Sequence, residues 1–595
     1  MYSTIQLGRR KFIVLSGAFT GALTGAFNFL VPSALGGAVP DYGLMERYTL
    51  DQGHRATRGG PVAAPADGSL LWVTTEPEAP YLARAMWPIS RLTMRRSLDN
   101  GKSWSAPHTF VQGTKEYSLL SHTLRATDSG ALLHLFVRYS GYDYDTHTPE
   151  KSLCQAFVHR STDGGRTWSE PVKLPTGERY IGDVLSLEQL RDGRLIYPFC
   201  FLTAIKSQFA CSALYSDDDG LSWTRSQSVL QAGGGGFESG ASEPTVVELP
   251  DRRLWMLLRA QTGFLWESFS SDRGKTWSTA APSVIPSSNA PATALRLRSG
   301  DIAVAWNNHV QSNYARQSLV LGLTRDGRSF RGFREIDFTD YADNPAEPTQ
   351  HVTYAYLTET REGLLVVSYN KGLWMRHNRP SLARVSPMWL LAQEDLADFR
   401  DGRTGWHTVN PGPNRAAAVE RYVNPSGDEL WLELEQASNY KEPAGITRNI
   451  PMVADGEIRL TVQVVRPEAY LLFGDTLLDP HNVKESCLRI RWAGNQLLMA
   501  AGTPERIQND RRTTQYSFLS HTIKTETLYP QALKSGDVME ISLRYQASQS
   551  KAEIRINGGP VVELRTGAIL GLSNVGLAVG GGGLLRLRSI WTELK

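Results

Sequence analysis

The chain has 595 residues, enough for more than one buried core, with 21% charged residues and a formal net charge of +3. A charge so nearly balanced, with no basic stripe and no acidic tail, argues against a nucleic-acid partner. Its 15 Trp, 22 Tyr and 53 Gly residues fit a turn-rich, all-β protein with a sugar-facing surface.

The first element is a leader, residues 1–38. Arg9-Arg10-Lys11-Phe12 precedes the apolar stretch IVLSGAFTGALTGAFNFLV and then the small residues SALGGAVP. Charged, apolar and small segments in that order are the pattern of an export signal. The paired arginines before Phe12 resemble a twin-arginine signal, which implies export of a folded protein across a bacterial membrane. The apolar stretch is diluted by Gly, Ser, Thr and Asn, so cleavage near Ala38 is expected over the alternative of a membrane anchor. A periplasmic or secreted protein, with no membrane partner after cleavage, follows from that reading.

Two repeats run in phase through residues 45–403. SLDNGKSW (97–104), STDGGRTW (161–168), SDDDGLSW (216–223) and SSDRGKTW (270–277) share Ser-x-Asp-x-Gly-x-x-Trp, and TRDGRSF (324–330) is a shortened copy. Each is a turn: Asp accepts local backbone N–H bonds, Gly takes positive φ, and Trp packs beneath. The second repeat is a turn leading into a strand, centred on Gly68, Gly130, Gly193, Arg252 in the glycine position, Gly300 and Gly363. Six copies at spacings of about 48 to 63 residues, with period-2 alternation, predict a six-bladed β-propeller and exclude helical repeats.

Cys154, Cys200, Cys211 and Cys487 are the only cysteines. They form no CxxC and no metal spacing, so no metal site, cofactor or disulfide scaffold is expected. Cys200 and Cys211 lie symmetrically in YPFCFLTAIKSQFACSAL, a hairpin pattern that suits either a cross-strand bridge or two free buried thiols.

Beyond about residue 405 the repeats stop. Alternating runs such as ELWLELEQ, EIRLTVQVV, CLRIRWAG and VMEISLRYQ predict a β-sandwich over 410–595, a jelly roll similar to concanavalin-type lectin domains.

In a propeller the innermost strand of each blade starts near the axial pocket. Upstream of the glycine repeat, at that end of the strands, stand Arg58, His122, Asp183, Glu243 and Tyr354, polar residues in five of six blades. In ASEPTVVELPDRRLWMLLRA (241–260) the return strand brings Arg259 back beside Glu243.

The Ser-x-Asp-x-Gly-x-x-Trp turns resemble the Asp-boxes of bacterial sialidases and their relatives, whose catalytic domain is a six-bladed propeller. The resemblance implies that Glu243 polarises a tyrosine nucleophile, Tyr354 in TYAYLTETREG. It further implies that Arg58, Arg259 and Arg316 (in ARQSLVLGLTRDG) hold a substrate carboxylate. Three guanidiniums suit one carboxylate because bidentate, charge-assisted bonds fix its orientation. A neutral phenol suits attack at an anomeric carbon bearing an anionic group. The chain departs from the family at Arg58, which is followed by Gly-Gly-Pro, and in TTEPEAPYLARAMWPIS (74–90), where the family's acid/base Asp is missing. Glu76, Glu78, Asp143 and Asp145 are the alternative candidates to replace that acid. His122 has no sialidase counterpart; with Tyr180 and Tyr354 it would suit a polysaccharide lyase acting on uronates. The leading expectation is an exo-acting glycoside hydrolase for an acidic sugar. A uronate lyase and a non-catalytic carbohydrate-binding propeller, needing only the arginines and aromatics, are the alternatives.

Overall fold

The computed structural model describes residues 45–595 except 50–57, 79–88, 142–147, 237, 310–315, 340–349, 374–376, 400–404, 410–417, 426–429, 437–441 and 512–513. The expected leader, residues 1–38, lies outside the described residues, as do Asp143 and Asp145.

Six blades account for residues 45–385, each with four antiparallel strands; the third adds a short fifth strand, Ser239–Gly240, paired parallel to Gln208–Ser216. Their innermost strands are Arg58–Ala63, Ser118–Ala126, Glu188–Gln189, Ser242–Glu248, Thr293–Arg296 and Gln350–Glu359. The sixth blade is completed by Met45–Thr49, which pairs with His377–Val385 as the outermost strand. A strand that precedes the first blade in sequence thereby completes the last one and ties the two ends of the ring together.

The repeat turns account for the blade geometry. Gly68, Gly130, Gly193, Gly300 and Gly363 join the innermost strand to the second at φ between 82° and 91°, and Arg252 adopts φ 72° in the same position. The aspartate repeat joins the third strand to the fourth. In the second blade Ser161 Oγ donates to Asp163 Oδ1 at 2.8 Å, and Asp163 accepts Thr167 N at 2.9 Å and Thr167 Oγ1 at 2.6 Å. The same bonds recur around Asp99, Asp218 and Asp272, and in reduced form around Asp326. Apolar cores form between neighbouring blades: Trp72 packs with Val366 and Leu382 across the ring closure, and Trp255 packs with Trp306 between blades four and five.

The hairpin of Leu195–Leu202 and Gln208–Ser216 sets Cys200 directly opposite Cys211, and all four cysteines are free, buried thiols. After the propeller, an eight-stranded and a seven-stranded antiparallel sheet share one apolar core, an arrangement compatible with a β-sandwich. A separate hairpin, Thr503–Arg511 and Thr514–Thr522, pairs with the propeller segment Gly235–Gly236.

Candidate active site

The candidate residues sit where the innermost strands break their own ladder. Pairing shifts between Gly59 and Val62, between Leu119 and His122, between Ser242 and Thr245, and between Thr353 and Tyr356. A bulge sets two residues against one and turns a side chain out of the period-2 alternation. Glu243 and Tyr354 adopt φ of 42° and 56° inside these bulges. Non-glycine residues rarely adopt such a backbone, and it persists only where the surroundings hold it. For Tyr354 the flanking strand is held by Asn307, which donates to Val352 O and accepts from Thr353 Oγ1.

The side chains then converge. The Tyr354 hydroxyl donates to Glu243 Oε1 at 2.7 Å, and Arg259 Nη1 donates to Glu243 Oε2 at 2.7 Å. The guanidinium carbons of Arg58 and Arg316 stand 4.9 and 5.4 Å from the Tyr354 ring centroid. Asn289 ties two arginines together: its Oδ1 accepts from Arg259 Nε at 2.6 Å and its carbonyl from Arg316 Nη2 at 2.8 Å. Arg58 Nη1 lies 3.3 Å from Asp183 Oδ2, and the Tyr139 hydroxyl donates to Asp183 Oδ1 at 3.2 Å. The Arg-Gly-Gly-Pro departure has a steric cause. A Cβ on Gly59 would stand 2.8 Å from Tyr369 O, and one on Gly60 would stand 2.4 Å from His122 Cε1 and 2.5 Å from Val73 O.

Burial sets the protonation states. Desolvation raises the Glu243 carboxyl above its usual range and Asp183 adds to this, while the Arg259 charge opposes it. Burial, with the Glu243 and Asp183 charges, pushes the Tyr354 phenol well above its ordinary value. Burial opposes charge on Arg58, but Asp183 and the neighbouring phenols outweigh it and raise its affinity for the proton. The resting arrangement is a neutral phenol that donates to one Glu243 oxygen while Arg259 holds the other.

Other expected residues lie around this centre. His122 is buried against Gly60, with Nε2 3.3 Å from Thr75 Oγ1 and its ring 5.4 Å from that of His134. Burial first, then the Arg58 charge, pushes its imidazole down to about 3, so it is neutral. Tyr180 packs 5.9 Å from Phe209 in the core that includes the third blade. Glu76 is engaged by Arg91, Arg95 and Thr93 within the first blade, and Glu78 stands 3.9 Å from Arg91.

Three participants escaped sequence reasoning. Glu238 Oε2 accepts from Arg259 Nη2 at 3.0 Å, and it follows the Gly233–Gly236 run, the one signal that a special loop stands there. Asn289 and Tyr139 belong to no repeat and carry no such signal.

Residues 90–367 match the BNR repeat-like domain family. A sialidase from Micromonospora viridifaciens is 27% identical over 207 residues, 31% of this chain; the chain spans 31% of that relative's length. Among solved structures, a Dyadobacter fermentans protein of unknown function gives a TM-score of 0.46 at 16% identity, covering 58% of this chain and all of that one. Trypanosoma rangeli sialidase gives 0.42 at 13% identity, covering 92% of this chain and 96% of its own.

Proposed function

Starting from a sialidase-like BNR propeller in this chain, we propose that it is an exo-acting glycoside hydrolase releasing an acidic, carboxylate-bearing sugar from the non-reducing end of a glycan. The observation that carries the reading is the Tyr354–Glu243–Arg259 chain of hydrogen bonds, with Arg58 and Arg316 beside the Tyr354 ring.

In this mechanism the arginines receive the sugar carboxylate and so orient the anomeric carbon toward Tyr354. The phenolic oxygen attacks that carbon, its proton passes to Glu243, and the glycosidic bond breaks with its electrons leaving on the aglycone oxygen, which takes up a proton from solvent. Water then attacks the anomeric carbon and releases one proton to solvent, while the departing phenolic oxygen regains its proton from Glu243. Arg259 holds the Glu243 carboxylate in place; Asp183 holds Arg58. The neutral, interior packing of His122, 1% exposed, favours this hydrolase reading over uronate elimination. Export through the twin-arginine-like leader would place the enzyme in the periplasm or outside the cell, where its carbohydrate substrate lies.

The test is product analysis on a panel of sialosides, uronides and uronate polysaccharides. Release of a free, saturated acidic sugar supports the reading. An unsaturated product with a C4–C5 double bond would replace it with the lyase, and binding without turnover would leave a carbohydrate-binding propeller.

A further inference from the structure

The chain has a second cluster of chemically capable groups, remote in sequence from the propeller residues above. Asp475 follows the strand Ala469–Gly474, Cys487 precedes Leu488–Ala493, and His521 lies on Thr514–Thr522. One donor atom from each lies within 4.8 Å of the others. Cys487 Sγ donates to Asp475 Oδ1 at 3.3 Å, and His521 Nδ1 stands 3.9 Å from the same oxygen.

These groups line a cavity of about 80 Å³ that Phe264, Val284 and Pro286 of the fourth blade close from the propeller side. Two further polar atoms belong to it. The Ser486 hydroxyl, on a residue 3% exposed that lines the same cavity, has no hydrogen-bond partner among the described residues, and neither has His521 Nε2. An apolar void would need no such donors, and a buried hydroxyl left unsatisfied costs on the order of 1–3 kcal/mol.

We propose that Asp475, Cys487 and His521 form a zinc site. Thiolate, imidazole and carboxylate together are the donor set that zinc prefers. With metal–ligand bonds of about 2.0–2.3 Å, tetrahedral neighbours lie ~3.3–3.8 Å apart, close to the spacings found. The fourth position falls to the Ser486 hydroxyl or to a water in the cavity. Binding displaces the Cys487 proton to solvent, so the thiol now shared with Asp475 becomes a thiolate ligand.

The site has a structural consequence. His521 stands on the hairpin that pairs with Gly235–Gly236, and Glu238, which bonds Arg259, follows two residues later. The Asp475 carbonyl accepts from Asn308 Nδ2 of the propeller at 3.0 Å. A metal here pins the hairpin to the seven-stranded sheet and, through it, braces the loop carrying Glu238. This role does not depend on which reaction the propeller catalyses.

The experiment loads the full chain with zinc, and separately with cobalt(II), after removal of bound metal. The expected result is one equivalent of zinc per chain, a thiolate-to-cobalt charge-transfer band in the near ultraviolet, and a Tm that rises with zinc. Cys487→Ser and His521→Ala, each checked for native circular dichroism, lose the band and the zinc-dependent rise. Failure of the unaltered protein to bind either metal overturns the proposal without any variant, and so does binding that survives in both variants.

Discussion

Tyr354 and Glu243 belong to blades six and four, yet each leaves its ladder at a bulge with positive φ, and their side chains meet at 2.7 Å. Two irregular backbones placed so that one hydrogen bond joins them point to a functional constraint, since each costs on the order of 1–3 kcal/mol.

Tyr354→Phe removes one oxygen and little packing. Turnover of an acidic glycoside should fall by roughly three orders of magnitude or more, with substrate binding retained. Stability should fall by about 1–2 kcal/mol, because Glu243 Oε1 loses its donor. Parallel measurement of kcat and of equilibrium binding checks this; full activity in the variant excludes Tyr354 as nucleophile.

Glu243→Gln keeps the shape and removes the base, and kcat should drop by about 10²–10⁴. In the unaltered protein the acid limb of kcat/KM should lie above that of an exposed glutamate, because burial raises this carboxyl. The sign for stability follows from the same shift. A carboxyl whose folded pKa exceeds its unfolded 4.5 contributes stability below that value and loses it as pH rises through the folded pKa. Unfolding curves against pH, unaltered protein against variant, should show that decline only in the former.

Asp163→Ala should lower Tm and leave turnover per folded molecule intact, since the turn it closes joins the two outer strands of its blade. The pH dependence runs opposite to that of Glu243. Burial of Asp99 works against its charge, but the Ser103 hydroxyl and N–H and the Ser97 hydroxyl prevail and lower it from 3.8 to about 2. Its contribution is therefore complete above pH 3.8 and lost as the pH falls toward 2, a loss that Asp99→Asn should abolish in acid unfolding.

Arg252→Gly tests the second repeat. Arg252 holds φ 72° where five blades have glycine, and its Nη1 pairs with Glu248 at 3.1 Å. Relief of the left-handed backbone should outweigh the loss of that ion pair, whose Arg252 end is exposed and whose buried Glu248 keeps Arg191 as a partner, and the added chain entropy, for a net gain of about 0.5–1 kcal/mol. Urea unfolding measures it; a loss of stability would mean that the ion pair dominates.

The blade count was legible in the sequence because it rests on local chemistry: aspartate and glycine turns whose hydrogen bonds close within a few residues. Glu243 beside Arg259 was legible for the same reason, since one short hairpin sets Ser242 opposite Arg259. Closure of the ring by Met45–Thr49 carries no repeat and is decided by the tertiary structure alone. So did the contacts of Asp183 with Arg58, Glu238 with Arg259, and Asn289 with two arginines, which join loops and strand ends that no periodicity relates. The metal-capable cluster illustrates the limit most plainly. Its donors, at the two ends of one strand connection and on a separate hairpin, obey no spacing rule, because sheet pairing, which the chain decides only as a whole, brings Asp475, Cys487 and His521 around one cavity. Period and turn chemistry are properties of short stretches, whereas the meeting of distant side chains depends on blade closure and sheet register.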